Sequence, residues 1–128
     1  MGPSIPRQEA MKQAGQTIPA MKRGFFLVDT GASCTCIDNN LMAGLGITPT
    51  GATNIQTPST NGGAHVCNLY DVMLYIPNQS SGGHLIEAMP IVEAGLSSQG
   101  IDGLIGRDVL NGCTLIYNGT AQLLTLAY

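Results

Sequence analysis

A short segment near the start of the chain combines residue types suited to acid–base chemistry, Leu27-Val-Asp-Thr-Gly-Ala-Ser33. Its two apolar residues predict a strand that runs into the core and ends at Asp29. Burial of a carboxylate at such a position costs free energy. Thr30 supplies a hydroxyl that can fix the turn, and Gly31 supplies a permissive backbone. Ala32 and Ser33 are small enough to leave space for a ligand. Taken alone, the segment also fits a purely structural Asp-Thr-Gly turn between two strands.

A second motif lies further along the chain, Ile101-Asp-Gly-Leu-Ile-Gly-Arg-Asp-Val-Leu110. Like the first, it is an apolar run that ends in a glycine-containing turn before a short helix. With both motifs the sequence resembles the retroviral-type aspartic proteases, the retropepsins. Their pattern is an apolar pair, Asp-Thr/Ser-Gly-Ala, a flap hairpin, and a late apolar-apolar-Gly-Arg-Asp/Asn-Leu segment. The resemblance covers residues 24–126, and the motifs occur in the family's order.

The resemblance implies a role for each residue of the motifs. Asp29 would be the catalytic carboxylate, with Thr30, Gly31, Ala32, Ser33 and Arg107 as its support. Thr30 would hydrogen-bond across a dimer axis, and Gly31 would offer backbone groups to the substrate. Arg107 would anchor the loop after Gly31 and the dimer.

The substrate-binding residues implied by the resemblance fall in two places. The flap, residues 57–63, would close over an extended peptide through Ser59, Thr60, Asn61, Gly62 and Gly63. Leu104 and Ile105 would lie under or beside the substrate pockets.

The chemistry itself calls for two carboxylates that share one proton, one acting as general base and the other as acid. The chain has only one Asp-Thr-Gly, because Asp102-Gly103 lacks the threonine, and 128 residues are too few for two lobes. The second carboxylate is therefore expected from a symmetry-related copy, in a homodimer with its active site on the two-fold axis. No metal and no organic cofactor is expected.

Three departures from the retroviral pattern are visible. Ser33 stands where retroviral enzymes often have an acidic residue. Arg107 is therefore expected to pair with Asp108 or to donate to a carbonyl oxygen instead. The chain also continues into a C-terminal hairpin, and a helix precedes the first hairpin, so the sheet that joins two protomers is expected to be built differently.

Composition excludes other classes of function. Five Lys and Arg residues cannot form a basic stripe, so no nucleic-acid partner is expected. No apolar run is long enough to span a bilayer, and no secretory signal is visible, which favours a cytoplasmic location. The four cysteines predict buried thiols rather than zinc ligands, because C-x-C with H-x-C is not a common zinc spacing.

Seventeen glycines and seven prolines divide the chain into short pieces, as in an all-β domain. We expect a closed or partly open acid-protease barrel with one or two short helices, one lobe per chain. A single domain spans residues 1–128, with an N-terminal extension over 1–23 and a protease core over 24–128. The local signals predict helices over residues 7–14 and 39–44, a strand over 17–20, and a C-terminal hairpin with a type I′ turn at Asn118-Gly119.

The predicted activity is endopeptidase cleavage of extended peptides with apolar residues around the scissile bond, at acid to mildly acid pH. A module that has the same fold but only dimerises or binds peptides is the alternative. A third possibility is a zymogen-like state, in which part of residues 1–23 covers the cleft and that part must be removed before the chain dimerises.

Overall fold

The computed structural model describes residues 1–55, 65–78 and 82–128, and it is mostly β with few short helices, as predicted. The strands are β1 (Gly2–Pro3), β2 (Phe26–Val28), β3 (Cys36–Asp38), β4 (Gly51–Ile55), β5 (His65–Pro77), β6 (Gly83–Ala94), β7 (Gly103–Ile105), β8 (Thr114–Asn118) and β9 (Leu123–Ala127). The helices are α1 (Ile5–Gln13), α2 (Asn39–Leu45) and α3 (Arg107–Leu110), and a 3₁₀ turn covers Ser97–Gln99.

A seven-stranded sheet runs in the order β1-β5-β6-β3-β7-β2, with β4 also paired to β5. The long strands β5 and β6 form an antiparallel pair, and β3 lies parallel to β6 but antiparallel to β7. Strands β2 and β7 are parallel, with Val28 opposite Ile105. Both motifs of the sequence therefore leave the sheet at the same edge, side by side.

The sheet separates two apolar clusters, because neighbouring strand residues point to opposite faces. Ile37 and Ile91 are fully buried in the larger cluster, which also holds Met1, Met42, Leu45, Tyr70, Val72, Leu74, Met89, Ile105 and Val109. Their neighbours Cys36 and Val92 belong to a smaller cluster on the other face, with Cys67 and Leu96.

The N-terminal part of the chain differs in detail from its local sequence signals. Helix α1 begins before the predicted residue 7, because the Ser4 hydroxyl accepts a hydrogen bond from the Arg7 amide and caps it. The predicted strand over 17–20 is absent, because Pro19 has no backbone N–H to donate to a neighbouring strand. Instead, Met1 and Lys22 exchange backbone hydrogen bonds of 2.6 and 2.8 Å.

Local capping signals predict the second helix correctly. The Asp38 side chain caps α2, and Gly46 ends it in the left-handed conformation at φ 62°. The type I′ turn predicted at Asn118-Gly119 is wrong, since neither residue has a positive φ. A four-residue loop forms instead, in which Asn118 Oδ1 accepts from the Ala121 amide at 3.0 Å and Gln122 takes φ 51°.

Candidate active site

Asp29 lies just beyond the end of β2, where the parallel partner strand fixes its backbone. Its amide donates to the Ile105 carbonyl at 3.0 Å, extending the β2–β7 ladder by one residue. Its Oδ1 accepts from the Gly31 amide at 2.8 Å and the Ala32 amide at 3.3 Å. None of the described residues donates to Oδ2, so that oxygen is available to a substrate, a water or a second carboxylate.

A side chain on Gly31 would crowd the Asp29 carboxylate at this turn. A Cβ built on it would lie 3.1 Å from Asp29 Oδ1. Such a contact is tight enough to push the carboxylate out of position, which explains why glycine suits the third position of the motif.

Arg107 ties the second motif to the Asp29 loop. Its amide donates to the Ala32 carbonyl at 3.0 Å, and its Nη1 donates to the carbonyls of Thr30 at 3.0 Å and Gly31 at 3.2 Å. Of the two anchors that the sequence left open, Arg107 uses carbonyl oxygens and not the Asp108 carboxylate. The guanidinium thus holds the loop that presents Asp29.

Thr35 and Asp108 form a second connection between the motifs, which sequence reasoning missed. Asp108 accepts from the Thr35 amide at 2.8 Å and from the Thr35 hydroxyl at 2.7 Å. The same hydroxyl accepts from the Gly106 amide at 3.1 Å. Thr35 is fully buried, and the available signal for this pair was a buried polar residue with an aspartate on the distant motif.

The two motifs approach each other closely at Gly106. A Cβ on Gly106 would lie 2.5 Å from the carbonyl carbon and oxygen of Cys34. Since backbone atoms cannot yield as a flexible side chain can, this glycine is what lets the two loops touch.

A groove of about 1700 Å³ extends from Asp29 along one face of the sheet. Leu27 and Leu104, paired across β2 and β7, form one apolar wall, and the buried cluster of Cys36, Cys67, Val92 and Leu96 lines its floor. Gly31, Ala32 and Ser33 also line the groove. An extended chain could therefore run past Asp29 over a mostly apolar surface.

Three predicted site residues of the described part of the chain lie outside this lining: Thr30, Ile105 and Arg107. Thr30 is exposed beside the groove, and Ile105 points away from it into the larger cluster, where it is 5% exposed. Strands β4 and β5 lead towards the predicted flap, with Ile55 opposite His65 as their last pair. The flap residues Ser59, Thr60, Asn61, Gly62 and Gly63 fall outside the described residues.

Comparison with known families bears directly on this arrangement. The sequence model of a family described as aspartyl protease matches residues 22–109, more than half of the chain and both motifs. The chain belongs to this retropepsin-like aspartyl protease family. The family that the two motifs predicted is thereby confirmed. No curated protein and no solved structure matches the chain significantly.

The family match runs from just before β2 to α3 of this aspartyl protease. It contains Asp29, the groove walls and Arg107. Helix α1 and the β8–β9 hairpin lie outside the match. Across the described ranges, no helix is both long and apolar enough to cross a membrane.

In this aspartyl protease, the Asp38 side chain binds the backbone of the loop that carries Leu96, a residue of the groove floor. Its Oδ1 accepts from the Asn40 amide at 2.9 Å, and its Oδ2 accepts from the amides of Leu96 and Ser97 at 2.7 Å each. These hydrogen bonds, that from Asn40 foremost, lower the pKa of the Asp38 carboxyl despite its burial. The ionised group therefore holds the loop that carries Leu96 against the sheet.

The cysteines of the groove remain thiols in this fold. Burial, aided by the neighbouring Cys34, raises the pKa of Cys36 to about 12, and burial also raises the pKa of Cys67. At neutral pH such groups pack as small apolar side chains. Within the described residues, no cluster of three or more His, Cys, Asp or Glu residues could hold a metal ion.

Proposed function

We propose that the chain is an aspartic endopeptidase that acts as a homodimer and cleaves extended peptides. The observation that carries this proposal is the Asp29 carboxylate, presented by a braced loop at the wall of an apolar groove. Family membership supports the same chemistry.

The mechanism uses Asp29 and Asp29 of the partner subunit as a pair that shares one proton. The ionised carboxylate removes a proton from water as the oxygen attacks the scissile carbonyl, while the protonated one donates to the carbonyl oxygen. Two like charges so close cannot both ionise, so activity is greatest at acid to mildly acid pH.

The proposed assembly places one retropepsin-like lobe, with a closed or partly open barrel, on each side of a two-fold axis. Thr30 braces the two loops across that axis, and the Gly31 backbone binds the substrate main chain. The residues 24–128 form the protease core, preceded by the extension over 1–23. Residues 57–63 close over the bound peptide as the flap.

The apolar groove supports a preference for apolar side chains around the scissile bond. Leu27 and Leu104 stand beside Asp29 on the same face of paired strands. Ile105 acts from beneath, by packing β7 against the core. A polar side chain in these pockets loses its water contacts without replacement hydrogen bonds, which weakens its binding.

The test compares wild type with Asp29→Asn on a mixed peptide library at about pH 4–6. High protein concentration keeps a weak dimer assembled. Glu9→Gln, an exposed carboxylate on α1, is the matched control. We expect cleavage by wild type and Glu9→Gln, with apolar residues at the cut, and none by Asp29→Asn.

Two outcomes would contradict the proposal. Cleavage by Asp29→Asn at the wild-type rate removes the carboxylate from the mechanism. A dimeric wild type that binds peptides and cuts none of them identifies a binding module instead.

A further inference from the structure

Arg7 is a half-buried cation of α1 that forms no ion pair with any of the described residues. Its Nη2 donates to the Thr48 hydroxyl at 2.7 Å, and its Nη1 is buried with no acceptor among those residues. A buried donor without an acceptor costs free energy and is rare in folded proteins. An anion with several oxygen atoms beside Thr48 would supply the missing acceptor.

Charge is divided unevenly along the chain, and Arg7 lies in the basic part. Residues 1–23 hold four of the five Lys and Arg residues and one carboxylate, whereas residues 24–128 hold one arginine and seven carboxylates. Lys22 adds a second cation beside α2, because a Cβ on Gly44 would lie 4.0 Å from Lys22 Nζ. This concentration of positive charge favours the addition of negative charge nearby.

Thr48 is accessible to an enzyme. It lies in the loop between α2 and β4, where residues 46–52 are exposed except for the half-buried Ile47. Pro49 follows it directly, and a threonine followed by proline is the substrate of proline-directed protein kinases. Thr50 is also exposed, but its hydroxyl donates to the Leu69 carbonyl at 3.2 Å and a glycine follows it. Of the two threonines, Thr48 alone combines a following proline with an arginine contact.

We propose that Thr48 is a phosphorylation site whose phosphate is bound by the Arg7 guanidinium. A proline-directed kinase transfers the γ-phosphoryl group of ATP to Thr48. The bond between Oγ1 and phosphorus forms, the bond from phosphorus to the bridging oxygen of ADP breaks, and the hydroxyl proton passes to the catalytic base of the kinase. The product carries a charge of about −1.5 to −2 at pH 7 and three strong acceptor oxygens.

The phosphate binds Arg7 through two hydrogen bonds. Its phosphorus is attached to the oxygen that Nη2 already contacts, so the terminal oxygens lie within reach of both Nη2 and Nη1. Such guanidinium–phosphate pairs are charge-assisted and stronger than neutral hydrogen bonds. Phosphorylation therefore connects α1 more firmly to the loop that leads into β4, and it stabilises the folded chain. This inference does not depend on the proposed function.

The experiment incubates the full chain with a proline-directed kinase and ATP. Thr57 is the other threonine followed by proline, and no serine precedes a proline, so Thr57→Ala is the background in which Thr48 alone has this neighbour. We expect mass spectrometry of proteolytic peptides to find the phosphate on Thr48, and Thr48→Ala to take up none. Thr50→Ala, in the same loop, is the matched control and should be phosphorylated fully.

Thermal melting measures the effect of the phosphate on stability. We expect phosphorylation to raise the melting temperature by about 3–6 °C. The rise should be absent in Arg7→Gln and smaller in Arg7→Lys, which keeps the charge but lacks the planar fork. Arg23→Gln, which replaces an exposed arginine of the same segment, is the matched control and should keep the full rise.

Phosphorus-31 NMR supplies a local readout that does not depend on global stability. A guanidinium beside the phosphate favours its dianion. We therefore expect the second pKa of the Thr48 phosphate to be lower in the protein that has Arg7 than in Arg7→Gln.

Three results would overturn the proposal. Phosphorylation of Thr57 but not of Thr48 in wild type would show that the loop is no kinase substrate. An equal rise in melting temperature in Arg7→Gln would show that the guanidinium does not bind the phosphate. A rise caused by inorganic phosphate in the unmodified chain, and lost in Arg7→Gln, would assign the site to a free anion instead.

Discussion

Thr35 binds the Asp108 carboxylate through both its amide and its hydroxyl, at 2.8 and 2.7 Å. The two residues are 73 positions apart in the chain; Thr35 lies shortly after the first motif, and Asp108 lies in α3 within the second motif. Together with Gly106, whose amide donates to the same hydroxyl, they join the loop of Asp29 to the loop of Arg107. These hydrogen bonds connect the two segments of the candidate active site to each other.

Replacing Thr35 by valine tests this connection. Thr35→Val keeps the branched shape but removes the donor to Asp108 and the acceptor for the buried Gly106 amide. We expect the free energy of unfolding to fall by about 1–3 kcal/mol, because a buried donor loses its partner. Urea unfolding measures the change as a lower midpoint with an unaltered slope. Thr17→Val, on an exposed threonine, is the control, and an equal loss in both variants would refute the connection.

Arg107 is expected to act as a positioning residue, a prediction that depends on the proposed activity. Arg107→Lys keeps the charge but replaces a planar group by a flexible ammonium, so the carbonyls of Thr30 and Gly31 are held less firmly. We expect kcat to fall by about tenfold with little change in KM, since the loop presents Asp29 less accurately. Because Arg107 is exposed, the melting temperature stays near that of wild type.

Steady-state kinetics and thermal melting of Arg107→Lys are compared with Arg23→Lys, another exposed arginine, as control. A large drop in melting temperature with proportional loss of activity would mean that Arg107 supports the fold as a whole and not the loop.

Asp38 is expected to make stability depend on acid pH. Its folded pKa is lowered by the amide hydrogen bonds of Asn40, Leu96 and Ser97, whereas an unfolded aspartate titrates at about 3.9. The stabilisation is therefore fully present above about pH 4 and is lost as the pH falls through the folded pKa. We expect Asp38→Asn to destabilise the protein by about 2 kcal/mol at neutral pH.

The free energy of unfolding of wild type and Asp38→Asn, measured from pH 2 to about pH 7, checks this prediction. The two curves should converge in acid. Glu87→Gln, an exposed carboxylate on β6, should run parallel to wild type. A constant difference between wild type and Asp38→Asn at every pH would show that the charge of Asp38 is not the cause.

Sequence patterns predicted the elements of this protein that are stabilised by residues close together in the chain. The apolar run before Asp-Thr-Gly predicted the strand that ends just before Asp29, and the caps Asp38 and Gly46 predicted α2. Each depends on residues within a few positions of one another. Local signals were wrong in two places: residues 17–20 form no strand, and the Asn118 side chain accepts a hydrogen bond from the nearby Ala121 amide that favours a longer loop.

Tertiary structure alone decided which distant residues meet. The parallel register of β2 and β7 places Arg107 on the carbonyls of Thr30 and Gly31, and it brings Thr35 to Asp108. It also assigns Leu104 to the groove and Ile105 to the core. No sequence periodicity encodes these contacts, because hydrogen bonds between separate strands depend on how the strands pair, and a shift of one residue exchanges the two faces.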